Sequence, residues 1–147
     1  MKQISGTWFE VKVRYEQTQD DGLEKMVTET YVYKAADFGE AFDKAIKNMS
    51  TFISGEFGIT AMKIAQYGEV VMQDDRTEEK YYRVKVIFIT LDEKTNKEKK
   101  TACHYLVNAD SVEKARKYAD TILSDSMVDF VIEAVQEAKI IDVIFDD

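Results

Sequence analysis

Trp8-Phe9-Glu10-Val11-Lys12-Val13-Arg14-Tyr15 returns later in the chain as Tyr81-Tyr82-Arg83-Val84-Lys85-Val86-Ile87-Phe88. In the first copy Phe9, Val11, Val13 and Tyr15 fall on one side and Glu10, Lys12 and Arg14 on the other, the period of a half-buried strand. The likeness continues outward. Tyr31-Val32-Tyr33-Lys34-Ala35 matches Tyr105-Leu106-Val107-Asn108-Ala109, Ala41 and Ala45 match Ala115 and Ala119, and Phe57-Gly58-Ile59-Thr60-Ala61 matches Phe130-Val131-Ile132-Glu133-Ala134. Ala65, Glu69 and Val70 then fall on Ala138, Asp142 and Val143. The matches keep their order and their spacing barely changes, so the expectation is an internal duplication.

Local signals give each copy the same element order. Asp20-Asp21-Gly22 marks a turn, and 26–35 resumes as an extended segment, so the first strand and its successor form an antiparallel hairpin. Asp37, with Glu40 three residues on, caps a helix whose apolar face is Phe38, Ala41, Phe42, Ala45, Met49, Phe52 and Ile53. A third strand follows over 59–72, bent or bulged at Gly68. The second copy gives a strand over 81–91, a charged loop around Asn96, a return strand over 101–108, and a helix capped by Asp110 or Ser111. Its last strand covers 130–145.

The expected fold class is therefore α+β, with tandem duplicated β-β-α-β units related by pseudo-twofold symmetry, a mainly antiparallel sheet and helices covering one face. A right-handed crossover sets the third strand of each unit beside the first, on the side away from the second. The repeats at 7–73 and 80–147 are expected to form a single domain with a shared core, because a unit of about 70 residues is marginal alone. The acidic stretch 74–79 reads as the joint. Val11, Val13, Val84, Val86, Ala45, Ala119, Met49 and Leu123 are the expected core residues.

The 147 residues carry 28 acidic against 20 basic side chains, a net charge of −8, which disfavours whole-surface attraction to nucleic acid or an anionic membrane. Cys103 is the one cysteine, so neither an internal disulfide nor a cysteine metal cluster can be built, and a cytoplasmic setting is the natural expectation. No long apolar run or signal-peptide core is present, which points away from a membrane. Proline is absent, so turns fall to Gly, Asn and Asp.

The first strand and its Asp-Gly turn, with Thr28-Glu29-Thr30-Tyr31-Val32, Phe52-Ile53-Ser54-Gly55-Glu56-Phe57 and Phe88-Ile89-Thr90-Leu91-Asp92-Glu93, resemble an uncharacterised domain-of-unknown-function family of small proteins from gut anaerobic bacteria and their phages. The resemblance covers nearly the whole chain, with Ile-Ser-Gly-Glu-Phe its most specific piece. It implies one intact domain of bacterial or phage origin and carries over no reaction and no catalytic residues.

No catalytic, cofactor or metal site is expected from the residues. Cys103 and His104 are the one thiol beside the one imidazole, but neighbours in a strand point to opposite faces and do not converge as nucleophile and base. The runs Asp20-Asp21, Asp74-Asp75 and Asp146-Asp147 read as solvated carboxylates at a turn, a joint and a terminus, without the ordered pattern of a calcium loop. Gly55 and Gly58 follow a helix, where a phosphate loop would precede one.

Lys12, Arg14, Arg83 and Lys85 project from the face opposite the valines. Tyr31, Tyr33 and Tyr105 are candidate neighbours that would make this a basic and aromatic surface suited to single-stranded nucleic acid or a nucleotide. The competing reading is cross-strand ion pairing with Glu10 and Glu29 on a solvated face. The expected function is thus a non-enzymatic intracellular binding or assembly module that engages a protein partner or itself. The alternative is a single-stranded nucleic-acid-binding accessory protein.

Overall fold

In the computed structural model, which describes residues 1–145, the hairpin read from the first quoted stretch is formed by β2 (Trp8–Thr18) and β3 (Glu24–Lys34). Their antiparallel register runs unbroken from Trp8 opposite Lys34 to Thr18 opposite Glu24. Gly22 closes the turn at φ 84°, a left-handed conformation that glycine adopts without a Cβ clash. The chain also contains β1 (Lys2–Ile4), α1 (Phe38–Phe52), β4 (Phe57–Ala65), β5 (Tyr67–Met72), β6 (Tyr81–Leu91), β7 (Glu98–Asn108), α2 (Val112–Leu123), β8 (Asp129–Ala138) and β9 (Asp142–Ile144). The class is α+β. Among the described residues no helix is long and apolar enough to cross a membrane.

The described residues divide into two compact units, one of residues 6–66 and 140–145, the other of residues 1–5 and 67–139. They are called here the early and the late unit. These units are not the expected halves at 7–73 and 80–147. The chain leaves the early unit after Gln66 and returns to it at Ile140, and the acidic stretch 74–79 lies inside the late unit.

The early unit holds a four-stranded sheet in the order β4-β2-β3-β9. β4 lies beside β2 and away from β3, as the crossover rule requires, with a bulge where Lys12 and Val13 pair with Ala61 and Ile59. Asp37 caps α1 by accepting the Glu40 amide at 2.8 Å. Ala41, Ala45 and Met49 of the helix bury against Phe9, Val11, Val13, Tyr33 and Ala35.

The late unit holds a five-stranded sheet in the order β1-β5-β7-β6-β8. β6 and β7 pair from Tyr81 opposite Asn108 to Leu91 opposite Glu98, and the bulge against β8 falls between Lys85 and Val86. Asn96 turns the hairpin at φ 55°. Ser111, and not Asp110, caps α2 by accepting the Lys114 amide at 3.2 Å. Ala115, Ala119 and Leu123 bury against Val71, Tyr82, Val84, Val86, Tyr105 and Val107.

Two of the expected strands are each broken in two. The segment 59–72 splits at Gln66 into β4, which pairs with β2, and β5, which pairs in parallel with β7. The segment 130–145 splits likewise into β8, beside β6, and β9, parallel to β3. These parallel pairs are additions to the expected antiparallel arrangement. Alternation shows that a segment is extended and which side is apolar, but does not name its partner, so a change of partner within an extended run leaves no mark. The irregularity expected at Gly68 is present, between Tyr67 and Glu69.

Candidate functional site

The basic candidates fall two in each unit. Lys12 and Arg14 are exposed on the face of β2 turned away from α1 and make no ion pair among the described residues. Arg83 and Lys85 sit at the matching register on β6 but are half-buried. The Arg83 Nε donates to Tyr67 Oη at 3.1 Å, and Lys85 Nζ lies 3.1 Å from Glu133 on β8. The ion pairing anticipated with Glu10 and Glu29 takes another form. Buried Glu10 meets Lys63 at 3.4 Å, and Glu29 accepts from the hydroxyls of Tyr15 and Tyr31 at 2.8 and 3.1 Å.

The tyrosines do not join the basic residues. Tyr31 stands across from Val11, Tyr33 across from Phe9 and Tyr105 across from Val84, so all three lie on the helix-covered faces. Tyr33 is buried and donates to Asn48 Oδ1 on α1 at 2.7 Å. Burial pushes its phenol and that of Tyr31 far above the usual tyrosine range, with the neighbouring carboxylates Asp142 and Glu29 adding to the shift. No stacking platform of these tyrosines stands beside the four cations.

Cys103 and His104 occupy opposite faces of β7. Cys103 packs against the α2-side core, where burial raises its thiol above the ordinary range, while His104 pairs with Tyr67 and Lys85 on the other face. A Cβ built on Gly68 would come within 2.6 Å of the Cys103 sulfur, so glycine is required for this close approach. Among the described residues no three His, Cys, Asp or Glu side chains are grouped to hold a metal ion. Asp21 and Asp75 serve as turn acceptors for Leu23 and Thr77, and Asp74 takes the amino terminus. Asp146-Asp147 lies outside the described residues. A concavity of about 540 Å³ between the β2–β3 hairpin and the start of β4 is lined by Glu16, Glu24 and Glu56, an anion-repelling set.

A family described as Domain of unknown function (DUF4494) matches residues 7–146. The chain belongs to this family. No curated protein and no solved structure matches it.

Two surfaces of this DUF4494 chain lie outside the candidate set and have the chemistry of contact sites. On β6, Ile87 and Ile89 are partly exposed beside Leu91, which is 60% exposed, on the face away from α2. Val131 of β8, 51% exposed, stands directly across from Ile87. In the early unit, Phe38, Phe42 and Ile46 leave an exposed apolar stripe along α1, and Ile64 is exposed on β4. The expected apolar face of α1 is therefore only partly buried. A signal for both surfaces is present in the sequence: Val86-Ile87-Phe88-Ile89 is apolar on both sides of its strand, and the apolar arc of α1 extends through Ile46. Such patches, several large apolar side chains wide, mark binding surfaces more often than isolated exposed residues do.

Proposed function

We propose that this chain is a non-enzymatic, intracellular binding module of bacterial or phage origin, whose β-β-α-β units arose by duplication. The duplication is supported by register: Trp8 opposite Lys34 and Ala65 corresponds to Tyr81 opposite Asn108 and Ala138, and the bulges follow Lys12 and Lys85. The binding reading rests on one observation, the apolar surface of the late unit on which Leu91 and Val131 are exposed and Ile87 and Ile89 partly so. Its occupant is a protein with a complementary apolar patch, since burying such side chains is the main source of affinity between proteins.

The test is a photo-cross-linking side chain at Ile89 in cells. One discrete protein adduct, lost in Leu91→Lys/Val131→Lys, is expected; no adduct, or one that survives the double substitution, overturns the reading.

A second reading, single-stranded nucleic acid binding, rests on Lys12 and Arg14, which are exposed and make no ion pair among the described residues. It requires binding at low salt that weakens steeply as salt rises, because each neutralised phosphate releases counterions. Absence of binding at low salt rejects it.

A further inference from the structure

We propose that the β4 edge of the early unit, with the exposed stripe of α1 above it, is a twofold contact between two copies of this chain. The inference extends the assembly side of the reading above but uses a different surface, so the two can fail separately. β4 ends its sheet, leaving one side of its backbone unpaired within the sheet. α1 packs chiefly on β2 and β3, whereas α2 also packs on β8. Lys44 and Asn48 of α1 bond to Lys34 and Tyr33 of β3, so Phe42 and Ile46, on the opposite flank of the helix, lie toward β4, where Met62 is half-buried and Ile64 46% exposed.

The occupant follows from the bulge. In β4, Phe57 and Ile59 stand across from Tyr15 and Val13, while Met62 and Ile64 stand across from Val11 and Phe9. All four therefore face α1, although the parity of the sequence changes between Ile59 and Met62. An antiparallel pairing of β4 with its own copy, with the axis between Thr60 and Ala61, consequently sets Phe57 against Ile64 and Ile59 against Met62 on the helix side. The other side receives Gly58 against Lys63. The bulge makes the edge self-complementary, as an isologous interface must be.

Charge selects the same edge. Two copies with a net charge of −8 repel, yet Lys63 is the single charged residue of β4, and in this register it faces a glycine. β8, the equivalent edge of the late unit, has Glu133 at its bulge and Glu137 where β4 has Ile64. The same pairing there would bring two Glu133 side chains together at the axis and place Glu137 on Phe130.

The dimensions close as well. Strands lie about 4.8 Å apart, so helices seated over β2 and β3 of each copy would have axes about 19 Å apart. A helix is about 10 Å across, which leaves a gap of about 9 Å for Phe42 and Ile46 from both copies to fill. A contact made of one nine-residue edge and a few side chains from each copy is small against the roughly 1,200 Å² at which specific interfaces begin, so a reversible dimer is expected.

Sedimentation of the full chain is expected to show dimer at about 50 µM, a concentration suited to a micromolar contact. Phe42→Arg/Ile64→Glu borrows the residues α2 and β8 carry at Arg116 and Glu137, and is expected to weaken dimerisation at least about 100-fold with melting unchanged. As a check independent of that variant's folding, Ala61→Cys in a Cys103→Ser background places two thiols at the axis within disulfide range and should cross-link under mild oxidation. A chain that stays monomeric at about 200 µM overturns the proposal. So does a dimer that survives the double substitution, Ala61→Cys that fails to cross-link, or an edge that accepts an added extended peptide while the chain remains monomeric. A monomer that still gives the Ile89 adduct rejects this contact alone.

Discussion

The two units agree where they are buried and disagree where they are exposed. Met49 and Leu123 occupy matching turns of α1 and α2, Val11 and Val84 matching places in β2 and β6, and all four are buried. At the far end of the outer sheet face, the late unit carries Ile87, Ile89, Leu91 and Val131 where the early unit has Arg14, Glu16, Thr18 and Gly58. On the helix side the choice reverses. The early unit exposes Phe42, Ile46 and Ile64, while the late unit has Arg116, its 4.0 Å partner Asp120, and Glu137. Packing constrains both units alike, so the positions released from packing are where their surfaces differ.

Core equivalence gives the largest expected effects. Met49→Ala and Leu123→Ala should each lower stability by about 2–5 kcal/mol, because a buried side chain loses its transfer energy and leaves a cavity. Val11→Ala and Val84→Ala should each lower it by about 1–3 kcal/mol for the same reason. Denaturant melts of all four variants check this. A member of either pair whose substitution has no effect would break the equivalence on which the comparison stands.

Gly68 sharpens the comparison from the other direction, since it has no glycine counterpart beside β9. Gly68→Ala should destabilise by about 1–3 kcal/mol, as an added methyl forced into packed space does. The Cys103 sulfur is the atom it meets, at 2.6 Å, so most of the loss should disappear in a Cys103→Ala background. An unchanged loss in that background would put the strain elsewhere.

The alternation of β2 and β6, the turns at Gly22 and Asn96, and the cap at Asp37 were all readable because each is a local consequence of its own residues. The places of Tyr31, Tyr33 and Tyr105 were not. Their face depends on hairpin register, and a shift of one residue reverses every side chain. The same limit hid the splits after Ala65 and Ala138, where an extended run changes partner. In α1, the sequence showed that Phe42 is apolar but not that the helix would sit chiefly over β2 and β3, leaving that ring exposed. The candidate surfaces were thus half visible: their composition was legible and their coverage was not.

Alkaline pH should strike the early unit through its phenols. Tyr15, Tyr31 and Tyr33 all have raised pKa values there, with burial the leading cause in each. A folded-state pKa above the unfolded one gives stability that is whole below about 10 and lost as pH rises through the folded value. Trp8, buried in the early unit and the one tryptophan of the chain, reports the transition by its emission. Tyr31→Phe removes one ionisation and should move the alkaline midpoint upward; an unmoved midpoint would mean that this phenol does not contribute.

Surface exchange should scarcely affect folding. Ile89→Glu/Leu91→Thr gives the late unit the residues of the early one at partly or fully exposed positions, and stability should change by no more than about 0.5 kcal/mol. Loss of the protein contact without loss of stability is the expected pattern. A large destabilisation would show that these side chains belong to the core and that the exposed faces do not differ in role.

The smallest effect is expected at Asp110, where the early unit has Ala36 in the matching place before its helix cap. Asp110 Oδ1 accepts the Glu79 amide at 2.8 Å, and this bond, followed by that to the Glu78 side chain, holds the carboxyl below the usual aspartate range. A depressed folded-state pKa gives stability that is present above the unfolded value of about 3.9 and lost as pH falls through the folded one. Asp110→Asn should therefore melt slightly below the parent near neutral pH, and the difference should close as pH falls through the depressed folded-state value. Because the group is exposed, solvent screening keeps the gap small. A gap that persists unchanged into acid would mean that the side chain acts through its shape or its neutral hydrogen bonds, and that its charge adds nothing to the late unit that Ala36 withholds from the early one.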